Sequence, residues 1–230
     1  MALPKIKHPT YNITIPSNNK KVNFRPFTVQ EEKLLLMAKN SEKTDDIINT
    51  VKQVIQNCII EPIDVEKLAI FDIEYIFIKL RSKSVGEIVD LDYNDPETNE
   101  NIKFKINLDD IEVKRNDEHT NKFPLFENIG VVMRYPTLEE VKTVEDNGKD
   151  EAVFTMLIKC IDQIYDEETV YSDYNEKELD EFINTLPMES MGAIQKFFET
   201  MPSVEHTVKL KNKKGETKEV VLKGINSFFT

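Results

Sequence analysis

The sequence reads Arg25-Pro26-Phe27-Thr28-Val29-Gln30-Glu31 just ahead of an apolar run. Thr28 and Glu31 have the spacing of a capping box, in which the hydroxyl binds the first free amides of a helix and the carboxylate reaches back to the cap. The same arrangement returns at Thr137 and Glu140, and an arginine precedes each threonine by three positions. The stretch therefore predicts that a helix begins near residue 28, and its second occurrence indicates that the chain contains one structural unit twice.

Around this stretch, the first half of the chain alternates between strand and helix patterns. Alternating segments within residues 11–25, separated by turn-forming residues, predict a β-hairpin. Helices are predicted at about residues 45–60, from their three-four apolar spacing, and at about 65–81, where apolar residues are dense enough to imply burial on several sides. After Gly86 the period changes to two, which predicts a second hairpin over residues 88–106.

The second half repeats this order of elements. Its first clear helix matches the helix of residues 45–60 at a shift of 102 positions, pairing Val153, Met156, Leu157, Cys160 and Ile161 with Val51, Val54, Ile55, Cys58 and Ile59. A further helical stretch is predicted at about residues 176–200, and a final hairpin at 207–222. Helix periodicity alone is the alternative explanation for the five matches; the matching cysteine, arginine and capping box favour duplication.

We therefore predict an α+β fold with two diverged copies of a strand-helix-helix-helix-hairpin unit, with helices in the core and hairpins at the periphery. The highly charged stretch that begins at Lys114 predicts a linker over residues 114–125. This linker is expected to separate an N-terminal subdomain, residues 1–113, from a C-terminal subdomain, residues 126–230, that is its internal duplicate.

The composition is that of a folded protein with a strongly charged surface. Of the 230 residues, 40% are hydrophobic and 31% charged, and the net charge is -12. A phosphate backbone repels such a charge, so nucleic acid is not an expected partner. No apolar run suits a membrane span, and the first residues lack the apolar core of a signal peptide, so we expect a protein that stays in the cytoplasm where it is made.

Charge is nevertheless unevenly distributed along the chain. Residues 1–25 contain five cations and no acid, whereas residues 139–181 are dense in aspartate and glutamate. The basic arm is interpreted either as a solubilising terminus or as a polar docking strand.

Residues that could carry catalysis or bind a metal are dispersed. His8, His119 and His206 form no ligand cluster, the six glycines are spread singly, and Cys58 and Cys160 lie in apolar helical patterns typical of buried thiols. Acidic runs lack the alternating spacing of a calcium-binding loop. We therefore predict no catalytic residue, no metal and no cofactor, while a carboxylate pair assembled from distant residues stays open as an enzymatic alternative.

The most distinctive segment joins the very apolar helix to the second hairpin through a basic turn. A glycine just past a helix end can adopt a left-handed conformation, and cations there interact favourably with the negative helix terminus. That explanation is purely structural. The functional alternative is a partner-binding surface made of Arg81, Lys83, Ser84, Gly86 and Glu87.

This segment, together with the opening of the chain, resembles the baseplate hub subunit family of T-even-like contractile-tailed bacteriophages. The resemblance rests on Ala2-Leu3-Pro4-Lys5-Ile6, Ile15-Pro16-Ser17 and Phe24-Arg25-Pro26-Phe27, followed by the run to Met37. It is strongest over roughly the first 110 residues and continues as an order of elements over the remainder. The resemblance implies a protein of the central baseplate or of its assembly pathway, acting in the cytoplasm of the infected bacterium, with other baseplate hub proteins as partners.

Two roles fit this expectation. The protein is either a component that stays in the tail baseplate of the virion, or an assembly chaperone that shields a hub subunit and is absent from the finished particle. The expected docking surfaces are exposed hairpin edges and apolar helices, because a sheet edge offers unpaired amides and carbonyls to a partner strand. Homo-oligomerisation, the partner of each surface and the packing of the two halves stay open.

Overall fold

The computed structural model describes residues 3–4, 6–41, 43–141, 149–211, 215–224 and 227. The chain divides into two compact units, each described separately. Unit 1 consists of Met1–Lys114 and Ser203–Thr230, and unit 2 consists of Arg115–Pro202. No helix in the described ranges is long and apolar enough to cross a membrane.

Unit 1 begins with an antiparallel hairpin, three helices and a second antiparallel hairpin. The hairpins are β1 (Tyr11–Thr14) with β2 (Lys21–Phe24), and β3 (Ile88–Asp95) with β4 (Glu100–Asn107). The helices are α1 (Val29–Ser41), α2 (Thr44–Cys58) and α3 (Ile70–Val85), with short 3₁₀ helices at Val65–Lys67 and Leu108–Asp110 and a short strand β5 at Val113–Lys114. These elements follow the predicted order for the first half of the chain.

Unit 2 is built on a four-stranded antiparallel sheet in the order β6-β7-β8-β9. Its strands are β6 (Lys122–Phe126), β7 (Ile129–Met133), β8 (Ile161–Tyr165) and β9 (Val170–Tyr171). A helix that begins at residue 138 is described to residue 141, and it is followed by α4 (Lys149–Lys159), α5 (Glu176–Thr185) and α6 (Met188–Thr200). Buried side chains of the sheet and of the last helices, including Val131, Ile194 and Phe197, form one apolar core.

The chain ends in a hairpin of β10 (Ser203–Lys211) and β11 (Thr217–Lys223). In the register of this sheet, Val204 of β10 pairs with Val113 of β5, and the side chain of Val204 is fully buried. Lys218 of β11 also binds the carboxylate of Asp95 in the second hairpin, at 2.8 and 3.0 Å. These contacts place the last hairpin in unit 1.

The observed units therefore differ from the predicted subdomains. The prediction assigned residues 126–230 to one C-terminal subdomain, but the long-range pairing of β10 with β5 assigns residues from 203 onward to unit 1. The predicted linker, residues 114–125, contains the end of β5 and most of β6. Local polarity along the chain did not indicate a strand pairing between segments so distant in sequence.

The α+β class is confirmed, and one helix prediction needs correction. The stretch of residues 176–200, predicted as one helix, is two helices separated at Pro187. Leu186, which precedes Pro187, is extended with φ -71° and ψ 145°. A proline ring disfavours the helical conformation of the residue before it, so the first helix ends here. The predicted burial of the apolar helix on several sides is confirmed in α3, where Phe71, Ile73 and Ile78 are all buried.

Candidate functional site

The predicted partner-binding segment lies at the end of α3. Arg81, Lys83 and Ser84 belong to its last turns, Gly86 follows it, and Glu87 precedes β3. Gly86 has φ +133° and ψ 154°, so the predicted positive φ is present, although this ψ lies outside the left-handed helical region. Only glycine adopts such a conformation readily, and a glycine there lets the chain leave the helix directly into the hairpin.

The predicted residues contact several elements of unit 1. The hydroxyl of Ser84 donates to the carbonyl of Leu80 at 2.6 Å and accepts from the amide of Phe27 at 2.9 Å. The ammonium of Lys83 pairs with Asp109 at 2.6 Å. Arg81 is half-buried beside α1, where burial lowers the pKa of its guanidinium. Glu87 is exposed, and its carbonyl accepts from the amide of Leu108 at 2.8 Å.

Arg81 contributes to a groove among the three helices of unit 1, which we call the helical groove. Its volume is 380 Å³, and it is lined by Phe27, Glu32, Leu35, Leu36, Ala38, Lys39, Ile47, Val51, Phe77 and Arg81. Leu36 of its lining is 52% exposed, and the adjacent Met37 on α1 is 69% exposed. Two large apolar side chains left in water beside an apolar groove are typical of a protein docking surface.

Lys83 lines a different cavity of 480 Å³, which we call the strand cleft. It runs along the whole of β1 and is lined by Thr10, Tyr11, Asn12, Ile13, Thr14, Phe24, Tyr75, Lys79 and Lys83. The ammonium of Lys79 donates to the carbonyls of Leu108 and Asp109, at 3.4 and 2.7 Å. Burial lowers the pKa of Lys79, while neighbouring acids act in the opposite direction.

Neither Lys79 nor Tyr75 was predicted from the sequence to line a cavity. The available signal was the position of Lys79 between the apolar residues Ile78 and Leu80, since lysine is almost never fully buried without a partner. Its position in the cleft depends on the turn after β4, whose carbonyls hold its ammonium.

Each unit contains a cluster of arginine, threonine and glutamate, which we call a clasp. In the first clasp, the carboxylate of Glu31 accepts from the Arg25 guanidinium at 2.8 Å, from the Thr28 amide at 2.7 Å and from the Thr28 hydroxyl. Burial alone would raise the pKa of Glu31, but these bonds outweigh it and lower the pKa from 4.5 to about 2. The two capping boxes were predicted from the sequence, but the ion pair between the arginine and the glutamate was not. The signal for it was the arginine three positions before each threonine.

The second clasp has the same bonds. Glu140 accepts from Arg134 at 2.5 and 2.9 Å and from the Thr137 amide at 2.9 Å. Burial acts to raise the pKa of Glu140, but the hydrogen bonds from Arg134 and Thr137 outweigh burial, so the pKa is lowered.

Each clasp is joined to a buried cysteine through the backbone of its arginine. The amide of Arg25 donates to the carbonyl of Cys58 at 2.9 Å, and that of Arg134 donates to the carbonyl of Cys160 at 2.8 Å. Both cysteines are fully buried, and burial raises their pKa values to about 11 and about 12. The two cysteines therefore have closely similar surroundings, and both are poor nucleophiles at neutral pH.

Among the described residues, metal-ligating side chains are dispersed and several carboxyl groups have lowered pKa values. Across the described ranges, no group of three or more histidine, cysteine, aspartate or glutamate side chains could hold a metal ion. A general acid needs a raised carboxyl pKa. Hydrogen bonds and neighbouring cations instead lower the pKa of several carboxyl groups, namely Glu31, Glu61, Asp95, Asp109, Glu140 and Asp166.

Comparison with known proteins gives one finding about family. A family model described as T4 bacteriophage base plate protein matches residues 8–230. No curated protein and no solved structure gives a significant match. The matched range includes both clasps, the helical groove and the strand cleft.

Proposed function

The chain belongs to the T4 bacteriophage base plate protein family, and on this premise we propose that it is a hub protein of the tail baseplate. In this proposal it takes part in baseplate assembly through contacts with other hub proteins and not by catalysis. The family match carries the proposal, because it extends over residues 8–230 and so over both units. The protein would first meet its partners in the host cytoplasm and then remain in the tail baseplate of the virion.

The helical groove supports a docking role. Leu36 and Met37 expose most of their apolar surface beside it, and covering such surface by a partner is favourable by roughly 25 cal/mol for each Å² removed from water. Glu32, Lys39 and Arg81 at the same groove could orient a partner through hydrogen bonds.

The two clasps support the proposed duplication. In both units an arginine-glutamate pair and a capping threonine follow a strand, and the arginine amide binds the carbonyl of a buried cysteine. The residue before each arginine also pairs with the residue after each cysteine, as Phe24 with Ile59 and Met133 with Ile161. Independent origin would require this set of bonds to arise twice, so we propose that the two halves of the chain descend from one ancestral segment.

The groove is tested by recovering partners from infected cells with a tagged chain. We expect the unmodified chain to recover baseplate proteins and Leu36→Asp to lose them. Gln30→Asp is the matched control, since it makes the same charge change at an exposed position of α1 outside the groove. Recovery of no tail protein by the unmodified chain would contradict the proposed function, whereas equal recovery by both variants would contradict only the assignment of the groove.

Mass spectrometry of purified virions distinguishes the component from the chaperone. Stoichiometric presence in the particle is expected for a baseplate component. Absence from virions, combined with recovery of a hub protein from infected cells, would replace the proposal by an assembly chaperone.

A further inference from the structure

The outer edge of β1 presents backbone groups that β2 does not use. Ile15 donates its amide hydrogen to the carbonyl of Lys20 at 2.9 Å, which fixes the alternation of hydrogen bonds along the hairpin. In an antiparallel pair every second residue bonds to the partner strand, so Ile13 and Tyr11 also face β2. The amides and carbonyls of Asn12 and Thr14 therefore point away from β2. In the part of the chain that the structure describes, no bond occupies these outward groups.

The opposite edge of the same hairpin is closed. Asn23, which faces Asn12 in the register, accepts from the amide of Ile60 at 2.8 Å. The amide of Asn23 donates to the carboxylate of Glu61 at 2.5 Å. The hairpin therefore has one occupied edge and one open edge, and β1 is the open one.

Unit 2 contains a hairpin of the same construction whose corresponding edge is blocked. Met133 donates to the carbonyl of Asn121 at 2.7 Å, so the outward positions of β6 are Lys122 and Pro124. Lys122 pairs with Val132 and Pro124 with Gly130, which lie two and four positions before Arg134. Asn12 and Thr14 likewise pair with Asn23 and Lys21, two and four positions before Arg25. Proline has no amide hydrogen to offer, and lysine on an edge strand discourages pairing.

The strand cleft gives the open edge a charge preference. Among the described residues, its lining contains two cations, Lys79 and Lys83, and no carboxylate. Asp109 pairs with Lys83 at 2.6 Å, and Glu112, Asp109 and Asp110 lie close enough to act on the charge of Lys79. The hairpin and the arm before it add further lysines in a stretch of sequence without any acid, namely Lys7, Lys20 and Lys21.

We propose that β1 is a docking site for an extended acidic segment of another baseplate protein, which pairs with Asn12 and Thr14 and directs its carboxylates toward the strand cleft. Strand addition of this kind obtains affinity from backbone hydrogen bonds and specificity from the side chains that meet the groove. A second copy of β1 is the less favoured occupant, because it would bring its own basic hairpin against this one. The inference rests on the proposed docking role and specifies one surface for it.

The decisive variant is Thr14→Pro, with Thr14→Ala as its control. Proline removes the outward amide hydrogen without removing a bond of the β1-β2 ladder, and unit 2 already carries a proline at the matching position. Alanine removes the same side chain but keeps the amide. Equal thermal unfolding of the two variants would establish that both keep the fold.

Binding is measured by calorimetry with two capped probe peptides, one of alternating Glu and Thr and one of alternating Lys and Thr. We expect the Glu-Thr peptide to bind the full-length chain and the Lys-Thr peptide to bind at least about tenfold more weakly, because the charged side chains that line the cleft are Lys79 and Lys83. Thr14→Pro should weaken the Glu-Thr peptide about tenfold, the effect of one lost hydrogen bond, and Thr14→Ala should not. Equal affinity of Thr14→Pro and Thr14→Ala, or of the two peptides, would overturn the proposal.

Two further outcomes separate this inference from the proposed function. If sedimentation shows a dimer that Thr14→Pro dissociates, the occupant of the edge is a second copy and the acidic partner is wrong. If neither peptide binds while the tagged chain still recovers baseplate proteins, the edge assignment fails and the baseplate role stands.

Discussion

Replacing Glu31 by glutamine should destabilise unit 1 more than removal of a charge from an exposed ion pair does. The Glu31 side chain is only 6% exposed and receives bonds from Arg25 and Thr28. Its pKa of about 2, against 4.5 for the ordinary group, means that the fold favours the ionised form. At about 1.4 kcal/mol for each pKa unit, the ionised carboxylate contributes about 3 kcal/mol at neutral pH.

Glutamine keeps the size of the side chain but leaves Arg25 without its counter-charge. Removing one member of a mostly buried pair is costly because the remaining charge stays poorly solvated. We expect urea unfolding of Glu31→Gln, followed by circular dichroism at pH 7, to show a midpoint lower by about 1 M, from an m-value of roughly 2–3 kcal/mol per M.

The dependence on pH tests the cause. Since the pKa is depressed in the folded state, the contribution of Glu31 is complete above its unfolded pKa of 4.5 and is lost as the pH falls toward about 2. The difference between the parent and Glu31→Gln should therefore shrink steadily below pH 4.5. A difference that stays constant from about pH 7 to about pH 2 would mean that packing, and not charge, is responsible.

The second clasp supplies a graded control. Arg134 and Glu140 are 39% and 17% exposed, against 26% and 6% for Arg25 and Glu31, so water screens the second pair more. Glu140→Gln should cost less than Glu31→Gln, and Glu181→Gln, in an exposed pair, should cost at most about 1 kcal/mol. Unchanged unfolding of Glu31→Gln would refute the reasoning.

Three further predictions concern other parts of the two units. Gly130→Ala should lower the melting temperature by several degrees, because the added Cβ would lie 2.8 Å from the backbone oxygen of Phe123 and 2.3 Å from the ring of Tyr165. Gly192→Ala should raise the melting temperature by a few degrees, because its Cβ would meet open space in a helix. Cys58 and Cys160 should react with a thiol reagent at about pH 8 only after denaturant is added, since burial raises both pKa values; prompt labelling of the folded chain would contradict this. Asp95→Asn should speed amide exchange in the last hairpin without affecting unit 2, because Lys218 loses one of its two charged partners and keeps only its ion pair with Glu97.

The local features of the fold were predictable because their physical causes are local. The capping boxes at Thr28 and Thr137 depend on side chains three positions apart, and in both the glutamate reaches back to the threonine amide as predicted, while the threonine hydroxyl donates to the same carboxylate. The burial of α3 follows from its apolar density, and both cysteines are buried as their helical patterns indicate. A short spacing and a helix period determine each of these outcomes.

The features that were missed depend on contacts between distant residues. The last hairpin belongs to unit 1 because β10 pairs with β5, about ninety residues earlier, and no local pattern encodes that choice. Likewise, Arg81 and Lys83 are two residues apart but line different cavities, since a step of two around a helix is about 200°. A sequence pattern could identify the segment as basic; the surfaces reached by its side chains follow from tertiary packing.

Under the proposed duplication, the differences between the units indicate where their roles diverged. The clasp residues are identical in type, as expected if they stabilise the entry to a helix in each unit and face the interior. The outward positions of the matching edge strands differ, with Asn12 and Thr14 in one unit and Lys122 and Pro124 in the other. Interior stability does not require that difference, since outward backbone groups take no part in either hairpin ladder. Under the proposed strand addition, the β1 edge accepts a partner strand and the β6 edge does not, so blocking the β1 edge should change assembly.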